Sequence, residues 1–202
     1  MTRTRFQDAL NFVMRWEGGL ADHPNDPGGR TMKGVTQRTY DRWRADNGLP
    51  MRDVAQIEDA ELEAIYEDGY WSRGRCDRLR AQLDLVQFDT GVNMGPNRAI
   101  KILQTSVGAS PDGQFGPRTE AACDDCELTP AITCYCDIRE GIYRRLAQRP
   151  GQNIFLTGWL NRLDDLRAQV GVPGFSPSRS GATERVERLQ DLGPNDPLEV
   201  WQ

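Results

Sequence analysis

A carboxylate that closes an amphipathic segment, followed by a long unpatterned stretch, constrains this chain most. Phe6, Leu10 and Val13 recur at i, i+4 and i+7, the spacing of one helical face. Glu17 falls four residues beyond Val13, on that same face. Gly18-Gly19 comes next and is expected to end the helix in left-handed geometry. From there to Thr36 the sequence shows neither a helical nor a strand period. It carries two Gly-Gly pairs, two prolines, Asp22 and Asp26. Long structureless loops in compact domains are functional or disordered. A carboxylate at the tip of an apolar stripe loses water, and desolvation favours its protonated form. That is the state a general acid needs near neutral pH. The plain alternative is a solvated glutamate that ends a surface helix. Asp22 and Asp26, close behind in sequence, favour paired-carboxylate chemistry.

The rest of the chain reads as helix after helix. Segment 36–47 carries Tyr40 and Trp43 three apart, with Gly48 as its stop. Segment 59–70 turns Leu62, Ile65, Tyr66 and Tyr70 inward. Segment 84–93 does the same with Leu85, Phe88 and Val92, and places Asp89 and Asn93 on one face. That pair is either a packing or capping pair or a hydrogen-bonding wall for sugars. Prolines open helices at 96–106 and 117–126, a favoured first position. Segment 129–148 is the longest, with Ile132, Ile138, Ile142, Tyr143 and Leu146 as core. Segment 156–170 follows with Leu156, Leu160, Leu163 and Val170 at helical spacing. The expectation is a mostly α fold of seven to eight helices with no substantial sheet. From Gly171 the sequence turns rich in Pro, Ser and Gly, which predicts a loosely ordered polar tail with a short helix near 183–192.

Charge and composition exclude several functions. Formal net charge is 25 − 30 = −5, with no basic cluster of the kind that marks nucleic-acid binding. No apolar run approaches the ~18 residues of a membrane helix. Residues 1–15 hold no uninterrupted apolar core, so no standard secretory signal is read there. Cys123 and Cys126, with Cys134 and Cys136, invite a zinc reading. Against it, the second pair has one intervening residue, and both pairs sit in helical segments where such neighbours point apart. Buried thiols without metal or disulfide are the expectation for these four and for Cys76. His23 is the only histidine, and a solvated loop residue is its plain reading. The Asp22–Asp26 loop lacks the spacing and distal glutamate of an EF-hand. No phosphate loop or serine-hydrolase elbow is present. The reading is carboxylate chemistry without a cofactor.

Several pieces of the chain together resemble one family. Glu17-Gly18-Gly19, Asp26-Pro27-Gly28-Gly29, Thr31 and Gly34-Val35-Thr36 look like the signature of glycoside hydrolase family 108, whose members are phage and bacterial muramidases. Tyr70-Trp71, Phe88-Asp89, Val92-Asn93-Met94-Gly95, Leu103-Gln104, Asp112-Gly113-Gln114-Phe115-Gly116-Pro117 and Gly158-Trp159-Leu160-Asn161-Arg162 continue it to about residue 170. The chain departs from the pattern at Leu20, His23, Met32 and Lys33, where an aromatic is usual before Gly34. The resemblance implies a lysozyme-like fold. It implies a catalytic region at 1–94, a helical peptidoglycan-binding region at 95–170 that either binds substrate or completes the fold, and a tail at 171–202.

The implied reaction is hydrolysis of the β-1,4 bond between N-acetylmuramic acid and N-acetylglucosamine. Glu17 is the implied general acid, assisted by Asp26, Thr31 or Thr36. Asp22, Tyr40, Trp71 and Asn93 are the expected substrate-binding residues. The eight residues between Glu17 and Asp26 give the reach for carboxyls about 6.5–9.5 Å apart, which suits inversion. Two other readings stay open. A lytic transglycosylase would use Glu17 alone, and a non-catalytic module would only bind peptidoglycan. The expected partner is the glycan strand, with no nucleic acid, no membrane span and a monomeric state. The chain would be made in the cytoplasm and reach the wall through a holin or another export system.

Overall fold

The computed structural model describes residues 4–21 and 30–175. Eight α-helices account for most of these residues. Helix α1 (Arg5–Met14) starts at a capping box, in which the Thr4 hydroxyl and the Gln7 side chain satisfy each other's backbone N–H groups. It buries Phe6, Ala9, Leu10, Phe12 and Val13. It ends three residues before Glu17, in a short turn where the Trp16 and Glu17 N–H groups donate to Val13 O. Gly18 and Gly19 do not adopt the left-handed conformation expected of a cap there.

Three two-residue strands follow: β1 (Leu20–Ala21), β2 (Thr31–Met32) and β3 (Val35–Thr36), antiparallel in that order. Ala21 pairs with Thr31, so the strands on either side of segment 22–29 lie side by side. Met32 pairs with Val35, leaving Lys33 and Gly34 as a two-residue turn with φ of +47° and +78°. Two consecutive positive φ values match the right-handed twist of a tight hairpin. Part of a stretch expected to lack structure is therefore a small hairpin.

Helix α2 (Gln37–Asp46) is capped by the Thr36 hydroxyl, which accepts from Thr39 N at 3.1 Å. Helix α3 (Asp59–Tyr66) continues as a wider π-helical turn through Ser72. Helix α4 (Leu83–Met94) packs on α1, α5 (Pro96–Ser106) and α7 (Leu128–Leu146) and is buried almost all round. Helices α6 (Pro117–Asp125) and α8 (Leu156–Val170) complete the set. One apolar cluster runs from Phe6 to Val172, so the first and second halves share a core. Phe6, Trp71 and Phe88 meet edge to face within it, with centroids 5.5–5.8 Å apart. Among the described residues no helix is long and apolar enough to cross a membrane. Of the tail expected from Gly171, residues 176–202 lie outside the described residues, and with them the short helix expected near 183–192.

The buried face of α4 is not uniformly apolar. Gln87 accepts from Tyr135 at 2.8 Å and donates to Gly74 O at 3.1 Å. Asp89 pairs with Arg139 at 2.5 Å, and Asn93 accepts from Tyr143 at 2.5 Å. These residues recur every two to four positions and each finds a partner on α7 or a neighbouring loop. A polar seam thus runs between two otherwise apolar helices, with its carboxylate, amide and hydroxyl groups paired and one Arg139 nitrogen, Nη2, left without a hydrogen bond.

No disulfide joins the five cysteines. Burial pushes the Cys76 thiol well above its ordinary value, and pushes Cys123 and Cys136 up to about 12. Cys126 and Cys134 are half-buried. Ellman's reagent is therefore expected to modify Cys126 and Cys134 first, because burial both hides the other three thiols and keeps them protonated, and thiolate is the reactive form. The other three should react only on unfolding. Equal reaction of all five in the native protein would contradict this account of the thiols.

Candidate active site

Glu17 lies where the end of α1, the β2–β3 turn, α3 and α8 converge. Its side chain is 6% exposed. Oε1 accepts from Arg162 Nη1 at 2.8 Å, across 145 positions of sequence. Oε2 faces the hairpin: a Cβ on Gly34 would come within 2.8 Å of it and would overlap the Tyr66 hydroxyl. That hydroxyl donates to Lys33 O at 2.9 Å and so pins the turn against the glutamate. Burial first, then the nearby Glu17 carboxylate, push the Tyr66 phenol well above its usual range, so it remains a donor. The desolvation expected for Glu17 is present, but a guanidinium is set against it.

Helix α8 presents two residues to the end of α1, three apart and hence on one face. Arg162 reaches Glu17, and Asp165 accepts from Trp16 Nε1 at 2.8 Å. Arg162 also donates through Nε to Asp89 Oδ1 at 2.8 Å. The other Asp89 oxygen takes Arg139, whose Nε donates to Tyr143. Asp89 and Arg139 are fully buried. Burial alone would raise the Asp89 carboxyl, but Arg162 and Arg139 together outweigh it and hold it below the ordinary carboxylate range. The result is a chain of alternating acidic and basic groups, Glu17–Arg162–Asp89–Arg139.

The structure distributes the other expected site residues unevenly. Thr31 is buried on β2, next to the turn. Thr36 is buried as the cap of α2, and its hydroxyl is also 3.0 Å from that of Thr39. Asp22 and Asp26 lie outside the described residues, and with them the carboxyl separation on which inversion depends. Three assignments need correction. Tyr40 is fully buried and its hydroxyl is taken by Glu61, Arg44 and Arg52, so it does not line a cleft. Trp71 is packed between Phe6 and Phe88 in the core. Asn93 is buried with its amide oxygen committed to Tyr143, so the Asp89–Asn93 face belongs to packing.

Arg162, Arg139 and Tyr66 were not among the expected site residues. One signal could have found the two arginines: each sits on the apolar face of its helix, Arg162 beside Trp159, Leu163 and Leu166, and Arg139 beside Tyr135, Ile138 and Ile142. A pocket of about 590 Å³ lies elsewhere along α1, lined by residues that include Arg5, Asp8, Phe12, Gln82 and Gln169. Glu17, Arg162, Gly34 and Tyr66 are not among its walls.

Gly34 carries a direct prediction. Alanine there is expected to cost about 1–2 kcal/mol from the positive φ alone. Its methyl would also push the Glu17 carboxylate aside, so activity should fall by more than the loss of folded protein explains. Thermal melts and hydrolysis rates on the same preparation check this. A folded Gly34→Ala protein with wild-type activity would contradict the packing described.

The comparisons with known proteins fit this geometry. Residues 10–95 match the family model described as glycosyl hydrolase 108, and residues 98–164 match one described as a predicted peptidoglycan domain. No curated protein matches the chain. Among solved structures it is similar to SagA of Brucella abortus, at 32% identity and a TM-score of 0.68, covering 82% of this chain and 92% of that one. The chain belongs to the glycosyl hydrolase 108 family: it is a glycoside hydrolase of peptidoglycan, with the family's hydrolase segment and a peptidoglycan segment packed around Glu17.

Proposed function

We propose that the chain is an N-acetylmuramidase. It cleaves the β-1,4 bond from N-acetylmuramic acid to N-acetylglucosamine, with Glu17 as general acid. The observation that carries the reading is the setting of Glu17: a carboxylate almost removed from water, with one oxygen paired and the other left to the hairpin side. A carboxyl held in this way can carry a proton on Oε2 and give it to the glycosidic oxygen as the C–O bond breaks. Water then adds to the anomeric carbon of the muramic acid and its spare proton leaves to a base. Asp26 is the proposed second carboxylate, which stabilises the oxocarbenium-like state or orients that water. The proposed hydroxyl to assist is that of Thr31 or Thr36, which pair with each other across the hairpin next to the turn.

Digestion of purified peptidoglycan, borohydride reduction and mass spectrometry test the bond assignment. Reduced N-acetylmuramic acid at the new ends supports it. N-acetylglucosamine ends would point to the other glycosidic bond, and anhydro-muramic ends to a transglycosylase.

A further inference from the structure

We propose that Arg162 is a positioning residue for the catalytic proton. It occupies Oε1 of Glu17 and so leaves Oε2 as the oxygen that carries and delivers it. In this arrangement the segment matched as a peptidoglycan domain is part of the catalytic site. Glu17, Gly34, Tyr66 and Asp89 come from the hydrolase segment, whereas Arg139 and Arg162 come from the second. The two halves meet through charges rather than through apolar packing alone. The proposal rests on the reading of Glu17 as the acid.

Three observations carry it. Arg162 is aimed: Nη1 reaches Glu17 and Nε reaches Asp89, each at 2.8 Å, so its planar guanidinium is held at two of its three nitrogens. Asp89 is aimed in turn, because Arg139 takes its other oxygen and Thr90 and Tyr143 hold Arg139 at 3.1 and 2.8 Å. The whole chain of groups is buried, so none of it can swing into solvent and re-pair. A guanidinium bonded to a glutamate alone would stabilise the carboxylate strongly and discourage protonation. Here Asp89 shares that guanidinium, which moderates its pull on Glu17. After the proton leaves, Arg162 meets the carboxylate that forms.

Few other charged or titratable groups face Glu17 among the described residues. From α3 there is Tyr66, with Tyr70 beside it at 5.5 Å between rings. From the hairpin there is main chain, since the Lys33 ammonium is directed to Asp59 at 3.0 Å. From α8 there is Arg162, with Asp165 one turn on, engaged by Trp16 and by Arg15 at 3.3 Å. Asp22 and Asp26 fall outside the described residues. Arg162 is thus the cation that sets the charge felt by Glu17 from the described fold.

The test is the pH dependence of kcat/KM for Arg162→Lys and Arg162→Met in the full chain. Loss of activity at alkaline pH reports deprotonation of the acid. Removing a cation in contact with a carboxylate raises its proton affinity, so the alkaline limb of Arg162→Met should move up by about one to three pH units. Arg162→Lys keeps the charge but cannot serve Glu17 and Asp89 together. Its kcat should fall about 10- to 100-fold, the range carried by one charge-assisted hydrogen bond, with KM within about threefold. Should Arg162→Met fail to fold, the lysine variant decides. A folded variant whose alkaline limb and kcat stay at wild-type values would overturn the proposal. So would a rate loss that merely tracks the unfolded fraction with the limb unmoved. These outcomes differ from failure of the acid assignment, which appears as retained activity in Glu17→Gln whatever Arg162 does.

Discussion

Replacing Glu17 by glutamine is expected to abolish turnover while leaving the fold intact. The glutamine side chain keeps the volume, and its amide oxygen can still accept from Arg162 at the position Oε1 holds. It has no proton to give to a leaving oxygen. Loss of a general acid costs at least about 10²–10⁴-fold. The cost should lie at the upper end here, because the described residues around Glu17 offer no other carboxyl within reach of the hairpin side: Asp89 is fully buried and held ionised by two guanidiniums. Clearing of a peptidoglycan suspension, read beside a thermal melt, checks both halves of the expectation. Near-wild-type clearing by a folded Glu17→Gln protein would remove Glu17 from the chemistry.

The second large effect concerns stability. Asp89→Ala leaves Arg139 and Arg162 facing each other with the shared carboxylate gone, in a site closed to solvent. Breaking a buried ion pair by removing one partner costs about 3–5 kcal/mol, because the remaining charge is uncompensated. The exposed pair Lys33–Asp59, with Asp59 at 86% exposure, is the natural comparison and should cost under about 1 kcal/mol when cut. Urea unfolding of the two alanine variants separates these cases. A loss below about 1 kcal/mol for Asp89→Ala would mean that the buried chain of charges is not structural.

The same group makes stability depend on acid. Its folded-state value is depressed, so its contribution is complete above the ordinary carboxylate value near 4 and declines as pH falls through the folded value. Wild type should therefore lose stability on acidification over that window, and Asp89→Ala should lose less.

How much of this was legible in the sequence depended on the range of the interaction. Helices α5 and α8 have the bounds that proline, glycine and apolar spacing predict, since those signals act within a few residues: Pro96 opens α5, and Gly171, at φ +68°, closes α8. Glu17 was legible from its place after an amphipathic helix and from its motif. Its partner was not. Arg162 lies 145 positions away, and periodicity carries no information on which charge meets which. Tyr40, Trp71 and Asn93 were assigned to a cleft because aromatic and amide groups suit sugars. The same groups serve a core equally well, and the fold uses them there. The hairpin was hidden because its strands are two residues long and its turn places Lys33, rather than the usual asparagine or glycine, at positive φ.

Digestion of purified peptidoglycan in water enriched in oxygen-18 tests the central claim most directly. Hydrolysis places one labelled oxygen on the anomeric carbon of each newly exposed sugar, because water is the nucleophile. Brief digestion, immediate borohydride reduction and mass spectrometry read both the label and the sugar. The account predicts N-acetylmuramic acid ends carrying the label with wild type, and none above background with Glu17→Gln. Unlabelled anhydro-muramic ends, labelled N-acetylglucosamine ends, or equal labelling by the two proteins would contradict it.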